Sequence, residues 1–308
     1  MVSKDLNSNR YFEYINCPIC GNHRLSMHFS VPYGRLKQKK SLDYSLLGID
    51  KETIIKVDKC NRCKFVFVNP RIKKEYEGLL YNESKYNLYK ENRKFELNTS
   101  ENIQFTRQRR LKYLNILLRV LNIAGRDQSL NLFDYGCGFG HTLSLADSFG
   151  INGMGVEIDT FRLDYCKNLG LKVFSVEEFK KKSMDQKFDI IICQSVVEHI
   201  IDLKDFLSFI DMISKEKTIL YINGVSPHLI KLENKKGLFV KAHFLEHANY
   251  FYETTLDSFM GKIGFRPFPK KVVLVNGKKL LIPSSLVKLI KRDNGFFERI
   301  YVKKEGVR

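Results

Sequence analysis

Four cysteines stand in two pairs near the N-terminus, Cys17-Pro-Ile-Cys20 and Cys60-Asn-Arg-Cys63. A Cys-x-x-Cys turn presents two thiolates about 2.3 Å from one ion, and a second turn completes the tetrahedral four-thiolate set that structural zinc prefers. The insert of residues 21 to 59 fits a ribbon-like knuckle. A redox pair is the competing reading of a single Cys-x-x-Cys, but two pairs within the first 63 residues disfavour it. Cys137, Cys166 and Cys193 stand alone, and seven cysteines in 308 residues do not make a disulfide scaffold, which belongs to short secreted domains.

A second constellation begins at Asp134-Tyr-Gly136-Cys-Gly138-Phe-Gly140, which lies between a short apolar run and the helical segment 141–149. A Gly-rich turn between a parallel strand and a helix lets a ligand approach the backbone closely, at the sheet edge where open α/β folds bind ligands. The dinucleotide fingerprint requires its third glycine three positions after the second, and that position is His141, so a pyrophosphate loop is disfavoured. Gly155-Val-Glu157-Ile-Asp159 ends the next apolar run with a carboxylate able to accept hydrogen bonds from both hydroxyls of a ribose. Ribose without pyrophosphate is implied.

The elements that must carry these groups follow from periodicity. Residues 1 to about 70 read as short strands and turns, ending in the alternating run 64–68 and a stop at Asn69-Pro70. Residues 73–98 lack clean periodicity, and 103–123 carry apolar residues at helical spacing. Beyond Gly125, apolar runs at 130–135, 153–156, 173–174, 188–193 and 218–222 alternate with helical segments, the pattern of a parallel sheet buried on both faces. A composition of 44% hydrophobic and 28% charged residues excludes a disordered or fibrous chain. The longest apolar stretch, 111–124, contains Lys112 and Arg119 and is too short and too charged to span a bilayer. Residues 1–14 lack the apolar core of a signal peptide, so a cytoplasmic location is expected.

The Gly-rich turn resembles the first motif of class I S-adenosylmethionine-dependent methyltransferases, an acid followed by Gly-x-Gly-x-Gly, and Glu157 matches the acid that ends their second strand. Residues 188–199, Phe-Asp-Ile-Ile-Ile-Cys-Gln-Ser-Val-Val-Glu-His, look like the family's fourth strand and the loop after it. The likeness spans about residues 105 to 265, with Gly264-Phe265 similar to the turn before its antiparallel hairpin. The N-terminal part looks like the four-cysteine zinc module that precedes this domain in bacterial methyltransferases acting on deoxysugars and surface glycans. The resemblance implies a Rossmann-like α/β fold, a mostly parallel seven-stranded sheet with helices on both faces, beside a zinc-ribbon-like domain. Four segments are expected: a zinc-binding module (1–70), a connector and helical cap (71–125), the cofactor-binding methyltransferase domain (126–275) and a basic C-terminal extension (276–308).

Carried over residue by residue, the resemblance puts Gly136, Gly138 and Gly140 under the amino-acid moiety of S-adenosylmethionine. It puts Glu157 on the ribose, Asp134 on the methionine ammonium, and Gln194 and Ser195 near the sulfonium. The structural Zn2+ falls to Cys17, Cys20, Cys60 and Cys63. Candidate bases are His247, with Glu246 or Tyr250 beside it, and His199, with His228 and His243 in the same loops; His247 is favoured. In the similar quinone-ring O-methyltransferases an acid at position 195 joins Glu198 and His199 on a divalent ion, and Ser195 departs from that pattern.

Fifty-two Lys plus Arg against thirty-four Asp plus Glu give a net charge of +18, and residues 262–308 hold thirteen of the bases against three acids. Such a balance favours anionic partners, here a nucleotide-sugar or other phosphorylated acceptor in polysaccharide biosynthesis, with an acidic membrane surface still open. A nucleic-acid-modifying zinc protein is the alternative; it needs aromatics interleaved with a basic stripe or a recognition helix, and the sequence shows neither clearly. Much of the lysine content simply solvates surface.

Overall fold

The computed structural model describes residues 6, 10–36, 45–81, 103–125, 129–182, 185–231, 244–269, 272–275, 278–281 and 295–304. Two sheets dominate. The first is built from β2 (Leu25–Pro32), β3 (Ile54–Cys60) and β4 (Val66–Val68), and β1 (Phe12–Glu13) pairs separately with β5 (Arg71–Ile72). The second has seven strands in the order β12-β15-β10-β9-β6-β7-β8. Its parallel centre comprises β6 (Asn131–Tyr135), β7 (Asn152–Val156), β8 (Val173–Phe174), β9 (Phe188–Gln194) and β10 (Ser214–Val225). On one edge β15 (Phe296–Lys303) runs antiparallel to β10, and β12 (Phe265–Pro267) antiparallel to β15. This is the class I methyltransferase fold expected from the resemblance.

The alternation of side chains along each central strand feeds two cores, because successive residues point to opposite faces. Phe133, Ile191, Cys193, Leu220 and Ile222 face one side, where they meet Phe179, Phe206, Phe209 and Ile213. These last belong to α4 (Val176–Lys182) and α5 (Leu203–Ile213). Leu132, Ile190, Ile192, Ile219 and Tyr221 face the other. There they pack on α1 (Ile103–Ala124), α2 (His141–Ser148) and α3 (Thr160–Asn168). Ile190, Ile191, Ile192 and Cys193 are all fully buried, which is why the run reads as continuous apolar sequence rather than as alternation. Helix α1 buries Ile116, Leu117, Val120 and Leu121, a stripe at helical spacing.

The chain order sets the place for a ligand. From β6 the sequence proceeds to β7 and β8 on one side and then crosses to β9 and β10 on the other. A cleft must therefore open at the C-terminal ends of β6 and β9, where the connections diverge.

Two boundaries differ from the expectation. Phe296–Lys303, assigned to a basic extension (276–308), is an internal strand of the large sheet: Phe297 and Tyr301 are buried in its core, while Arg299 pairs with Asp257 and Glu253 of α6 (Glu253–Gly261). A hairpin of β13 (Val272–Val275) and β14 (Lys278–Leu281) precedes it. The four-cysteine module, expected to end near residue 70, takes its outermost strand from far along the chain: β11 (Asn249–Tyr250) pairs with β4, giving the sheet β11-β4-β3-β2. The module also shares its core, since Cys17, Ile19, Cys60, Phe65 and Phe67 belong to the same buried cluster as Phe133 and Phe251. Lys270, Lys271, Lys288–Arg292 and residues 82–102 of the connector lie outside the described residues. Among the described residues no helix is long and apolar enough to cross a membrane.

Candidate active site

The two Cys-x-x-Cys turns fold alike. Gly21 at φ 72° follows the first and Lys64 at φ 64° the second, so each knuckle closes through a residue in the left-handed region, with Gly21 N donating to Cys17 O and Lys64 N to Cys60 O. Their sulfurs converge: Cys17 Sγ lies 3.4 Å from Cys63 Sγ and Cys20 Sγ 3.6 Å from Cys60 Sγ. Four thiolates about 2.3 Å from one tetrahedral ion stand roughly 3.8 Å apart, whereas a disulfide would need about 2.05 Å. The group can hold a zinc ion. Against the burial that raises it, the backbone amides of Cys63 and Arg62 and the Asn22 side chain bring the Cys60 thiol down to about 6, toward the thiolate a metal requires.

At the switch point, a cleft of about 1260 Å³ runs past the end of β6. Gly136, Gly138 and Gly140 all have positive φ, and the backbone amides of Gly136 and Cys137 donate to Val156 O at 2.9 and 3.0 Å. Their roles separate. A Cβ on Gly136 would lie 2.5 Å from Val196 Cγ2 and one on Gly140 2.4 Å from Leu171 Cδ1, so these two glycines permit close packing. A Cβ on Gly138 would meet nothing within 4 Å, because that residue faces the open cleft.

Glu157 closes over the same loop. Its Oε2 accepts from Gly138 N at 2.7 Å, and Oε1 accepts from Ile158 N and Asp159 N at 3.0 and 2.9 Å. A carboxylate offers about four acceptor directions, so three are spent on backbone and one remains for a ligand hydroxyl, where the sequence suggested two. Burial raises its pKa. Asp134 is also buried; loss of solvent, with the Glu157 charge adding to it and a Thr142 hydrogen bond opposing it, pushes its carboxyl up to about 7.

Across the cleft, Gln194 ends β9 and Ser195 turns at φ 54°, its amide donating to Asn223 Oδ1 at 2.7 Å. Glu198 and His199 follow. Glu198 is buried, its Oε2 has no hydrogen-bond partner, and burial pushes its carboxyl up to about 8. His199 Nδ1 sits 3.0 Å from Glu246 O. A carbonyl only accepts, so Nδ1 carries the proton and Nε2 is left as the lone-pair nitrogen. The His247 ring stands edge-on to His199, with centroids 4.8 Å apart. Thus the two histidines that sequence reasoning treated as rivals form one pair, both lining the cleft together with Glu246.

Asn249 holds this pair in register. Its amide group donates to Val197 O and Ile200 O at 3.2 and 2.6 Å, and its backbone N donates to Glu198 O at 3.0 Å. Since Asn249 pairs with Phe67 in β4, the sheet that begins at the cysteine knuckles ends on the Glu198–His199 loop. Tyr250 points elsewhere: it is fully buried, its ring is 6.5 Å from that of His247, and it does not line the cleft. Nor does His228, which packs edge-on against Tyr252. His243 lies outside the described residues. Lys74, Glu77 and Tyr113 also line the cleft, from segments that no motif marks. Lys74 Nζ contacts Asp202 Oδ2 at 3.0 Å, and burial pushes Glu77 up to about 7.

A family described as a methyltransferase domain matches residues 105–268. Among solved structures, the chain is similar to an S-adenosylmethionine-dependent methyltransferase from Archaeoglobus fulgidus, with 19% identity, 63% of this chain and 94% of that chain covered, and a TM-score of 0.43. It is likewise similar to a methyltransferase from Thermotoga maritima, at 18% identity, 68% and 98% coverage and a TM-score of 0.43. The CcbJ methyltransferase from Streptomyces caelestis is similar at 10% identity, 61% and 89% coverage and a TM-score of 0.43. No curated protein matches the chain. The family match runs from the start of α1 to the strand after α6, taking in the Gly-rich loop and both histidines of the cleft, and this chain accordingly belongs to the methyltransferase-domain family and is an S-adenosylmethionine-dependent methyltransferase.

Proposed function

We propose that the enzyme methylates a sugar, nucleotide-sugar or surface-glycan acceptor. The observation that carries this reading is the His199–His247 pair, which faces the Gly-rich loop across one cleft. When bound, S-adenosylmethionine supplies an electrophilic methyl group on a sulfonium. The residues present fit it: Gly138 leaves the space a methionine moiety needs, Glu157 keeps one acceptor direction for a ribose hydroxyl, and Asp134 offers a buried carboxyl to the ammonium. Gln194, whose Oε1 has no hydrogen-bond partner, and Ser195 line the cleft between these groups and the histidines.

The protein's remaining work is to align the acceptor and take its proton. His199, with Nδ1–H fixed on Glu246 O, presents Nε2 as a base, and His247 stands beside it. An imidazole with a pKa near 6.5 suits removal of a proton near neutral pH. A four-cysteine module ahead of the domain is the arrangement seen in the glycan-modifying enzymes it resembles. Incubation with labelled S-adenosylmethionine and a panel of nucleotide sugars tests the reading. Transfer to at least one of them is the expected result; transfer to none, with label appearing on nucleic acid or protein instead, overturns it.

A further inference from the structure

We propose that the acceptor atom is an amine nitrogen, so that the sugar taken into the cleft is an amino sugar bound as its ammonium. The inference deepens the methyl-transfer reading above and rests on its imidazole base. Although the chain as a whole carries a net charge of +18, its cleft is acidic: among the described residues that line it, nine are carboxylates and two, Lys74 and Arg162, are cations. Both cations face acids already. Lys74 Nζ pairs with Asp202 Oδ2 at 3.0 Å, and the Arg162 charge acts on Glu157 in the half that faces the Gly-rich loop.

Three of the acids stand beside the histidines. Glu198 precedes His199, Glu246 precedes His247, and Glu77 accepts a backbone hydrogen bond from Ile201 of the same loop. Glu198 is 3% exposed, yet its Oε2 has no hydrogen-bond partner, and a buried carboxylate oxygen left so is costly until a donor or a cation meets it. A wall of this sign attracts a cationic ligand and repels a phosphate. The diphosphate of a nucleotide-sugar acceptor then lies outside this half.

Geometry separates an amine from a hydroxyl. One oxygen of Glu198 and one nitrogen of each of His199 and His247 lie within 4.8 Å of one another. Two hydrogen bonds of about 2.9 Å leaving one tetrahedral nitrogen reach acceptors about 4.7 Å apart, so a single ammonium can donate to the carboxylate and to an imidazole at once. A hydroxyl has one proton and serves one of them. Proton affinity points the same way. An ammonium gives up its proton at a pKa of about 8 to 10, within a few units of an imidazole near 6.5, whereas an alkyl hydroxyl holds its proton nearly as tightly as water, at about 15.7. The step balances: one N–H proton passes to the imidazole, the freed nitrogen pair forms the bond to the methyl carbon, and the carbon–sulfur pair returns to sulfur. The product is a secondary ammonium, still held by Glu198.

Matched pairs of nucleotide-linked sugars, differing only in an amine or a hydroxyl at one ring carbon, test the class with labelled S-adenosylmethionine, beside a simple alkylamine. Label should enter the amino member with a kcat/KM about 10²-fold higher or more, and mass spectrometry should place it on nitrogen. Glu198→Gln, which keeps the side chain's size and removes its charge, should raise KM for the amino sugar about tenfold or more with kcat within a few-fold, and thermal unfolding checks that the variant folds. Equal or faster transfer to the hydroxyl member, or an unchanged KM in Glu198→Gln, overturns the inference and leaves the sugar reading standing. Transfer to the alkylamine, with none to either member of any pair, upholds the amine and overturns the sugar. Transfer to no amine at all overturns the inference, whatever the hydroxyl sugars do.

Discussion

The two halves of the cleft are built in opposite ways. The half we assign to the cofactor is local: the Gly-rich loop, Glu157 and Asp159 fall within 26 residues of one another and hold each other by backbone hydrogen bonds. The half we assign to the acceptor is assembled from a distance. Glu198 and His199 come from the loop after β9, His247 from the segment before β11, and their common support, Asn249, is paired to a strand of the cysteine module. A ligand common to a whole family can be gripped by a motif contiguous in sequence. Selectivity among acceptors is free to reside in contacts that tertiary structure alone creates.

The sharpest way to break this division is to fill the cofactor half. Gly138→Leu should abolish S-adenosylmethionine binding in calorimetry while leaving the fold intact, because the new side chain meets only the cleft, although φ 58° will strain it. Unchanged affinity would remove the Gly-rich loop from the cofactor site. On the acceptor half, His247→Ala should cost on the order of 10² in turnover with cofactor affinity within about twofold. Cys60→Ser, which opens the four-cysteine group, should act at a distance on the same half, again on the order of 10² in turnover through misplacement of the Glu198–His199 loop. If cofactor affinity collapses in parallel, the halves are one cooperative unit and the comparison fails.

Smaller effects sharpen it further. Glu157→Ala should weaken cofactor binding by about 1 to 3 kcal/mol, since it strips both a ligand hydroxyl and the Gly138 amide of a charged acceptor. The smallest concerns protons. Asp134, raised to about 7 from an ordinary 3.8, stays protonated in the folded chain while the unfolded chain ionises, so its contribution to stability is full below about pH 4 and is lost as pH rises toward 7. Glu77 and Glu198 act in the same sense, so the quantity to measure is the difference in the pH dependence of unfolding between the parent chain and Asp134→Asn. A cationic cofactor that favours the ionised carboxyl should also release a fraction of a proton on binding at pH 6, detectable by calorimetry in two buffers of different ionisation enthalpy. Identical release by Asp134→Asn would take the ammonium away from this residue.

How much could be read beforehand follows the same line. The five parallel strands were legible within a few residues, because burial on both faces makes a run such as Ile190–Ile192 uniformly apolar. Both cysteine turns and the Gly-rich loop were legible because spacing alone encodes them. Strand β15 was not: its Arg299 and Lys303 count among the thirteen bases of residues 262–308 that read as a basic tail, whereas they pair with Asp257 and Asp211 on neighbouring helices, while Phe297 and Tyr301 are buried on one face and Ile300 and Val302 pack on the other. Asn249 gave no signal at all, since a single asparagine announces neither its strand partner nor the three backbone groups it ties. Tyr250 misled for the complementary reason. In a two-residue strand one side chain turns toward the loop and the next turns into the core, and one position decides between them.

The pairing of β4 with β11 has a consequence for synthesis of the chain. Val66 and Phe67 emerge from the ribosome long before Tyr250 and Asn249, their partners across the strand. Until then the cysteine module can pair β2, β3 and β4, but it presents Val66-Phe-Val68 as an open, apolar strand edge, a template for pairing with another chain. Closing so long a loop is entropically slow, so this edge stays open through most of translation. A ribosome-bound chain halted between residues 70 and 245 should therefore cross-pair or recruit chaperones through β4, and one released beyond residue 250 should not.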